Sequence, residues 1–124
     1  MTREMETWNL LTEAQTMAMK VFLREAGFSP AAARKIRQAA FINGAQGALR
    51  QLQKELIKAS NDPVWRYKMS RLRPVFDERG YLLFVGPKSI RDWLETEDAG
   101  PIGLVVRDWY ELEDDYVSVR EFDE

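Results

Sequence analysis

The chain has 124 residues, 45% of them in the hydrophobic set AVILMFWYC and 31% charged, so it can bury a core and is not compositionally disordered. It holds no Cys and no His, which excludes disulfides, Cys- or His-ligated iron–sulfur, haem and zinc sites, and Ser-His-Asp or Cys-His catalysis. Its net charge of −2 conceals a basic first part and an acidic end.

Thr12-Glu13-Ala14-Gln15 has the pattern of a capping box, in which a hydroxyl and a glutamine three residues on satisfy each other's backbone amides. Ala14, Met17, Ala18, Val21 and Phe22 then recur at three- and four-residue spacing, predicting a first helix with that stripe on the core and Gly27 as its stop. Ser29-Pro30 opens a second helix, which runs through Ala33, Ile36, Ala40 and Phe41 to the Asn43-Gly44 breaker. A third covers residues 45–59, with an apolar stripe of Ala45, Ala48, Leu49, Leu52, Leu56 and Ala59. Gly44 is read as a helix stop and Gly47 as a close-packing site. Residues 60–63 break that helix and cap a fourth, from Pro63 to about Arg73, where Pro74 ends it.

After Pro74 the period changes, and strands are expected only beyond residue 80. Residues 81–85 form an apolar run between 77–80 and Gly86-Pro87, the pattern of a buried strand. Ser89 caps a short helix to about Glu95 that buries Ile90, Trp93 and Leu94, and 99–101 is a turn. Residues 102–110 and 116–122 read as two strands joined across an acidic turn at 111–115. The expected fold is a single α+β domain: an N-terminal four-helix region, then a small, mainly antiparallel sheet with one inserted helix.

Few residues suit catalysis. Ser29, Ser60 and Ser89 read as caps or breakers, no Gly-x-Ser-x-Gly elbow is present, and Gly44-Ala45-Gln46-Gly47 lacks the spacing of a phosphate loop. The carboxylates of 111–115 do not follow the spacing of a calcium-binding loop and read as a solvated turn. The chain is therefore expected to be non-enzymatic, with no metal and no cofactor.

The charge distribution is more informative. Residues 34–73 carry ten basic side chains against Glu55 and Asp62, while 108–124 carry eight acids against Arg120. Arg50, Lys54 and Lys58 follow each other at four-residue steps, within an arc of about 80° on the side of the helix away from Leu49, Leu52 and Leu56. Residues 65–73 add Arg66, Lys68, Arg71 and Arg73, interleaved with Trp65 and Tyr67 and no acid. Such groups neutralise phosphates, and an exposed aromatic can stack on an unpaired base. Trp65, Met69 and Leu72 also fit a core stripe, which would leave the arginines as its solvated flank.

Across residues 19–38, Phe22, Ala26, Gly27, Phe28, Ala33 and Ile36 match the apolar and glycine positions of a helix-turn-helix, and the stretch resembles the DNA-binding segments of that type. The resemblance implies that residues 29–38 enter the major groove, presenting Ser29, Arg34, Lys35, Arg37 and Gln38. Leu23 departs from the pattern, which places a small residue there. No family is recognised along the full length.

Two functions follow as expectations. The first is a nucleic-acid-binding accessory or regulatory protein, with DNA preferred to RNA, contacting phosphates through Arg34, Lys35, Arg37, Arg50, Lys54, Lys58, Arg66, Lys68, Arg71 and Arg73 and modulated by the acidic end. The second is a protein-interaction module that presents Trp109, Tyr110, Glu111, Glu113, Asp114 and Asp115 to a basic partner. No apolar run approaches the roughly 20 residues a membrane span needs, and residues 1–6 lack a signal-peptide start, so the expected location is cytoplasmic with no membrane partner.

Overall fold

The computed structural model describes residue 8 and residues 10–113. Helix α1 spans Glu13–Glu25, and its capping box is complete: Thr12 Oγ1 accepts from the Gln15 amide at 3.0 Å, and Gln15 Oε1 accepts from the Thr12 amide at 3.0 Å. Its C-terminus closes in a Schellman motif. Gly27, at φ +76°, donates to the Arg24 carbonyl and Phe28 donates to that of Leu23.

The face that α1 buries is only partly the one expected: Phe22 of the expected stripe is buried and Ala18 packs against the core, but the centre of the buried face lies elsewhere. Thr16, Met19, Phe22 and Leu23 point into the core, while Ala14 and Met17 are exposed, Met17 to 62%. The helix is apolar on two opposite sides, so periodicity alone does not choose between them. The choice comes from tertiary packing, in which the Phe22 ring meets Phe84 at 4.9 Å and Trp109 at 5.5 Å.

Helix α2 spans Pro30–Ile57. Ser29 Oγ accepts from the Ala32 amide, and Pro30 occupies the first turn. The expected break at Gly44 is a kink within one long helix: this residue alone is non-helical, at φ 67° and ψ −147°. The kink has a packing reason. Buried Ile36 and Ala40 lie before it, and buried Ala48, Leu52 and Leu56 after it. On an uninterrupted helix at about 100° per residue the two sets would point roughly 140° apart. The non-helical residue rephases them onto one core. Gly47 fits beneath it because a Cβ there would collide with the Ala39 carbonyl oxygen.

Helix α3 spans Pro63–Ser70, capped by Asp62 Oδ1, which accepts from the Val64 amide at 3.0 Å. It stops earlier than expected because Arg73–Phe76 forms strand β1, correcting the expectation that strands begin only after residue 80. β1 pairs antiparallel with β2, Leu82–Gly86, placing Pro74 opposite Phe84. Proline is tolerated because β1 is an edge strand in the order β1-β2-β3, so its missing N–H breaks no central ladder. The residues at 77–80 are the hairpin turn between these strands: Asp77 Oδ1 accepts from the amides of Arg79 and Tyr81, and Gly80 takes φ +91°.

Helix α4, Lys88–Leu94, buries Ile90, Trp93 and Leu94 as expected, although Pro87 rather than Ser89 holds its N-cap position. A short 3₁₀ turn, Glu97–Ala99, leads into helix α5, Gly100–Asp108, where residues 102–110 had read as a strand. The run Ile-Gly-Leu-Val-Val has strand-like composition, but Pro101 pre-sets a first helical turn. Gly103 and Val106 are buried at helical spacing, with Gly103 against the Ala99 side chain. Strand β3, Tyr110–Leu112, then pairs parallel to β2, so the sheet is mixed rather than mainly antiparallel. The expected strand at 116–122 lies outside the described residues. The α+β class stands, with five helices and a three-stranded sheet among the described residues.

One apolar cluster joins these elements. It includes Met19, Phe22, Ile36, Leu52, Leu56, Met69, Phe84 and Leu94. Trp65 belongs to it: its ring meets Trp93 edge-on at 6.4 Å, and its Nε1 donates to the Ala99 carbonyl at 2.9 Å. It is a core residue and offers no free face to a base.

Candidate nucleic-acid interface

The second half of α2 sets its basic residues opposite its core side. Arg50, Lys54 and Lys58 are exposed, while Ala48, Leu52 and Leu56 are buried. The structure sorts these cations by what they already touch. Lys58 Nζ lies 3.3 Å from Glu55 Oε2, which also accepts from Gln51 Nε2 at 2.8 Å. Arg66 Nε donates to the Ser60 carbonyl at 2.7 Å. Lys68 is half-buried with its ammonium 5.7 Å from the Trp93 ring centre, and Arg71 donates to the Tyr67 hydroxyl at 3.3 Å. These four are engaged within the fold, whereas Arg50, Lys54 and Arg73 form no ion pair among the described residues.

Packing of α2 against β1 brings two of those three to one place. Arg50 from the helix and Arg73 from the strand line a cleft of about 720 Å³, together with Gln15, Gln46 and Gln53 and an apolar wall that includes Leu49, Val75 and Phe76. Among the described residues no carboxylate lines it. The amide nitrogen of Gln53 donates to the carbonyls of Leu72 and Ser70, so its oxygen remains as an acceptor. The oxygen of Gln15 is taken by the capping box, which leaves its amide nitrogen as a donor. Sequence reasoning had selected Arg50 and Arg73 as separate members of a basic stretch and had missed the glutamines. The local signal was the spacing of Gln46 and Gln53, four residues before and three after Arg50 on the same helical side.

Arg34, Lys35, Arg37 and Gln38 are exposed on the first half of α2, before the kink, with Ile36 buried between them. The hydroxyl of Ser29 is used as the helix cap. As whole elements, α1 rests on β2, while α2 rests on α3 and β1.

The proposed partner-binding residues are placed differently from one another. Trp109 is half-buried against Phe22, and Tyr110 donates its hydroxyl proton to the Pro87 carbonyl at 2.8 Å. Burial, and then the charge of Glu113, push the Tyr110 phenol up to about 12, partly countered by Arg91 and Arg71, so it stays neutral at physiological pH. Glu111 is half-buried in β3, Glu113 is exposed, and Asp114 and Asp115 lie outside the described residues. Beside Trp109 a second concavity of about 530 Å³, almost wholly apolar, runs between the outward stripe of α1 and the start of β2. Met17, Val21, Tyr81 and Leu83 line it.

Among the described residues no three of His, Cys, Asp and Glu gather to hold a metal, and no helix is long and apolar enough to cross a membrane. No protein family matches the chain, and neither does a curated protein or a solved structure.

Proposed function

We propose that this is a nucleic-acid-binding accessory or regulatory protein of the cytoplasm whose contact surface is centred on Arg50, Lys54 and Arg73. The observation that carries the reading is the cleft between α2 and β1, which two arginines flank and which, among the described residues, no carboxylate lines. Guanidinium groups match phosphate oxygens in pairs and keep their charge at any physiological pH. Arg34, Lys35 and Arg37 extend the surface along α2, and the acidic residues after Glu111 modulate it by competing for the same cations. DNA is the preferred partner.

The test is charge reversal at three exposed positions, Arg50→Glu, Lys54→Glu and Arg73→Glu, with folding verified by circular dichroism. Affinity for labelled DNA should fall by about tenfold or more, and the slope of log affinity against log salt should flatten by roughly two to three. Unchanged affinity in a folded triple variant removes this surface from the function. A second reading, a protein-interaction module, has its support in the apolar concavity beside Trp109. Loss of a protein partner on Met17→Asp, with DNA binding intact, would favour it.

A further inference from the structure

We infer that the cleft between α2 and β1 takes one unpaired nucleotide, so that the ligand is a single strand and not a duplex. The inference rests on the nucleic-acid reading above and narrows its substrate class.

The argument begins with shape. A duplex presents phosphates on a convex cylinder and keeps its base faces stacked inside, so it can touch the rim of a concave cleft but cannot fill it. A single strand offers a phosphate and an unstacked base within one nucleotide of each other. The cleft volume of about 720 Å³ lies in the range of sites that enclose small organic ligands.

Its lining combines cationic and apolar groups, the partners that a nucleotide's phosphate and base require. Arg50 and Arg73 supply positive charge from two elements, and neither is neutralised by an ion pair among the described residues. Leu49, Val75 and Phe76 supply an apolar wall for a base. The glutamines that line it each keep one group outside their own hydrogen bonds, Gln53 its oxygen as an acceptor and Gln15 its amide nitrogen as a donor. A phosphate alone would use the arginines and leave the apolar wall wet. An apolar ligand would leave both guanidinium groups without a partner.

The experiment measures fluorescence anisotropy of the full chain with a short labelled DNA strand, the same sequence as a duplex, and a strand of the same length whose sites are abasic, all at one salt concentration. The intact strand should bind about tenfold tighter than either of the others, since base stacking and pocketing are lost in both. Arg73→Ala and Arg50→Ala should each bring the intact strand down towards the duplex level while changing duplex affinity much less. Equal affinity for strand and duplex, or for intact and abasic strands, overturns the inference and leaves the basic surface as a phosphate binder. A nucleoside 5′-monophosphate that binds more tightly than the strand also overturns it, in favour of a free nucleotide. Absence of binding to any of these at low salt overturns the nucleic-acid reading itself.

Discussion

Replacing Gly44 with alanine isolates the energetic role of the α2 kink. The residue sits at φ 67° and ψ −147°, a region in which a Cβ meets its own backbone. Holding an alanine there costs about 2–3 kcal/mol, while the stiffer unfolded chain returns roughly 0.4–1 kcal/mol. Neighbours add little, since the nearest atoms to a Cβ would be Leu10 Cβ at 3.7 Å and the Leu10 carbonyl oxygen at 3.8 Å, ordinary contact distances. The net destabilisation is about 1–2.5 kcal/mol. Straightening the helix gives no escape, because either Ile36 and Ala40 or Leu52 and Leu56 would then turn out of the core. Urea unfolding followed by circular dichroism should show the midpoint lowered by about 1 M for a slope of 1–2 kcal/mol/M. A midpoint equal to or above that of the parent chain would refute the claim that this residue is held in a glycine-only conformation.

Thr16 is buried to 5% exposure and its hydroxyl has no partner among the described residues, so Thr16→Val should raise stability by about 1 kcal/mol, read as a higher urea midpoint. Tyr110 titrates at 10.0 when unperturbed and about 12 in the fold, so unfolding releases its proton between those values and the stability it confers, complete below pH 10, is lost as pH rises through that window. Tyr110→Phe should be less stable by about 1 kcal/mol near neutrality, for want of the bond to Pro87, and should show a shallower decline between pH 10 and 12 in parallel unfolding curves.

Local hydrogen bonding made much of the helical half legible. The Thr12 box and the Ser29 and Asp62 caps depend on residues within a few positions of each other, and each stands where the spacing put it, whereas the break expected at Gly44 is a kink inside one helix. What failed depended on distant partners. The outward stripe of α1 is as periodic as the buried one, and only Phe84 and Trp109 decide between them. Residues 102–108 carry β-branched side chains yet lie on a helix because Gly103 nests against Ala99. β1 went unseen because Pro74 reads as a terminator, and nothing local says that the strand runs along a sheet edge. The candidate site divides the same way. Its arginines stand out as charges in the sequence, but the cleft exists only because residue 73 is brought beside residue 50.

The parallel pairing of β2 with β3 also sets an order of assembly. β1 and β2 are joined by a short hairpin and can pair locally, whereas the pairing of β2 with β3 closes a loop that contains α4 and α5. The first pairing closes a small loop and the second a large one, so the edge that carries Glu111 is the last to join the sheet. It is also short, at three residues, and is the natural place for the sheet to open first. Amide hydrogens along β1 and β2 should therefore outlast those of β3 in exchange. Faster exchange in β3 would place the first opening of the sheet at the strand that carries Glu111.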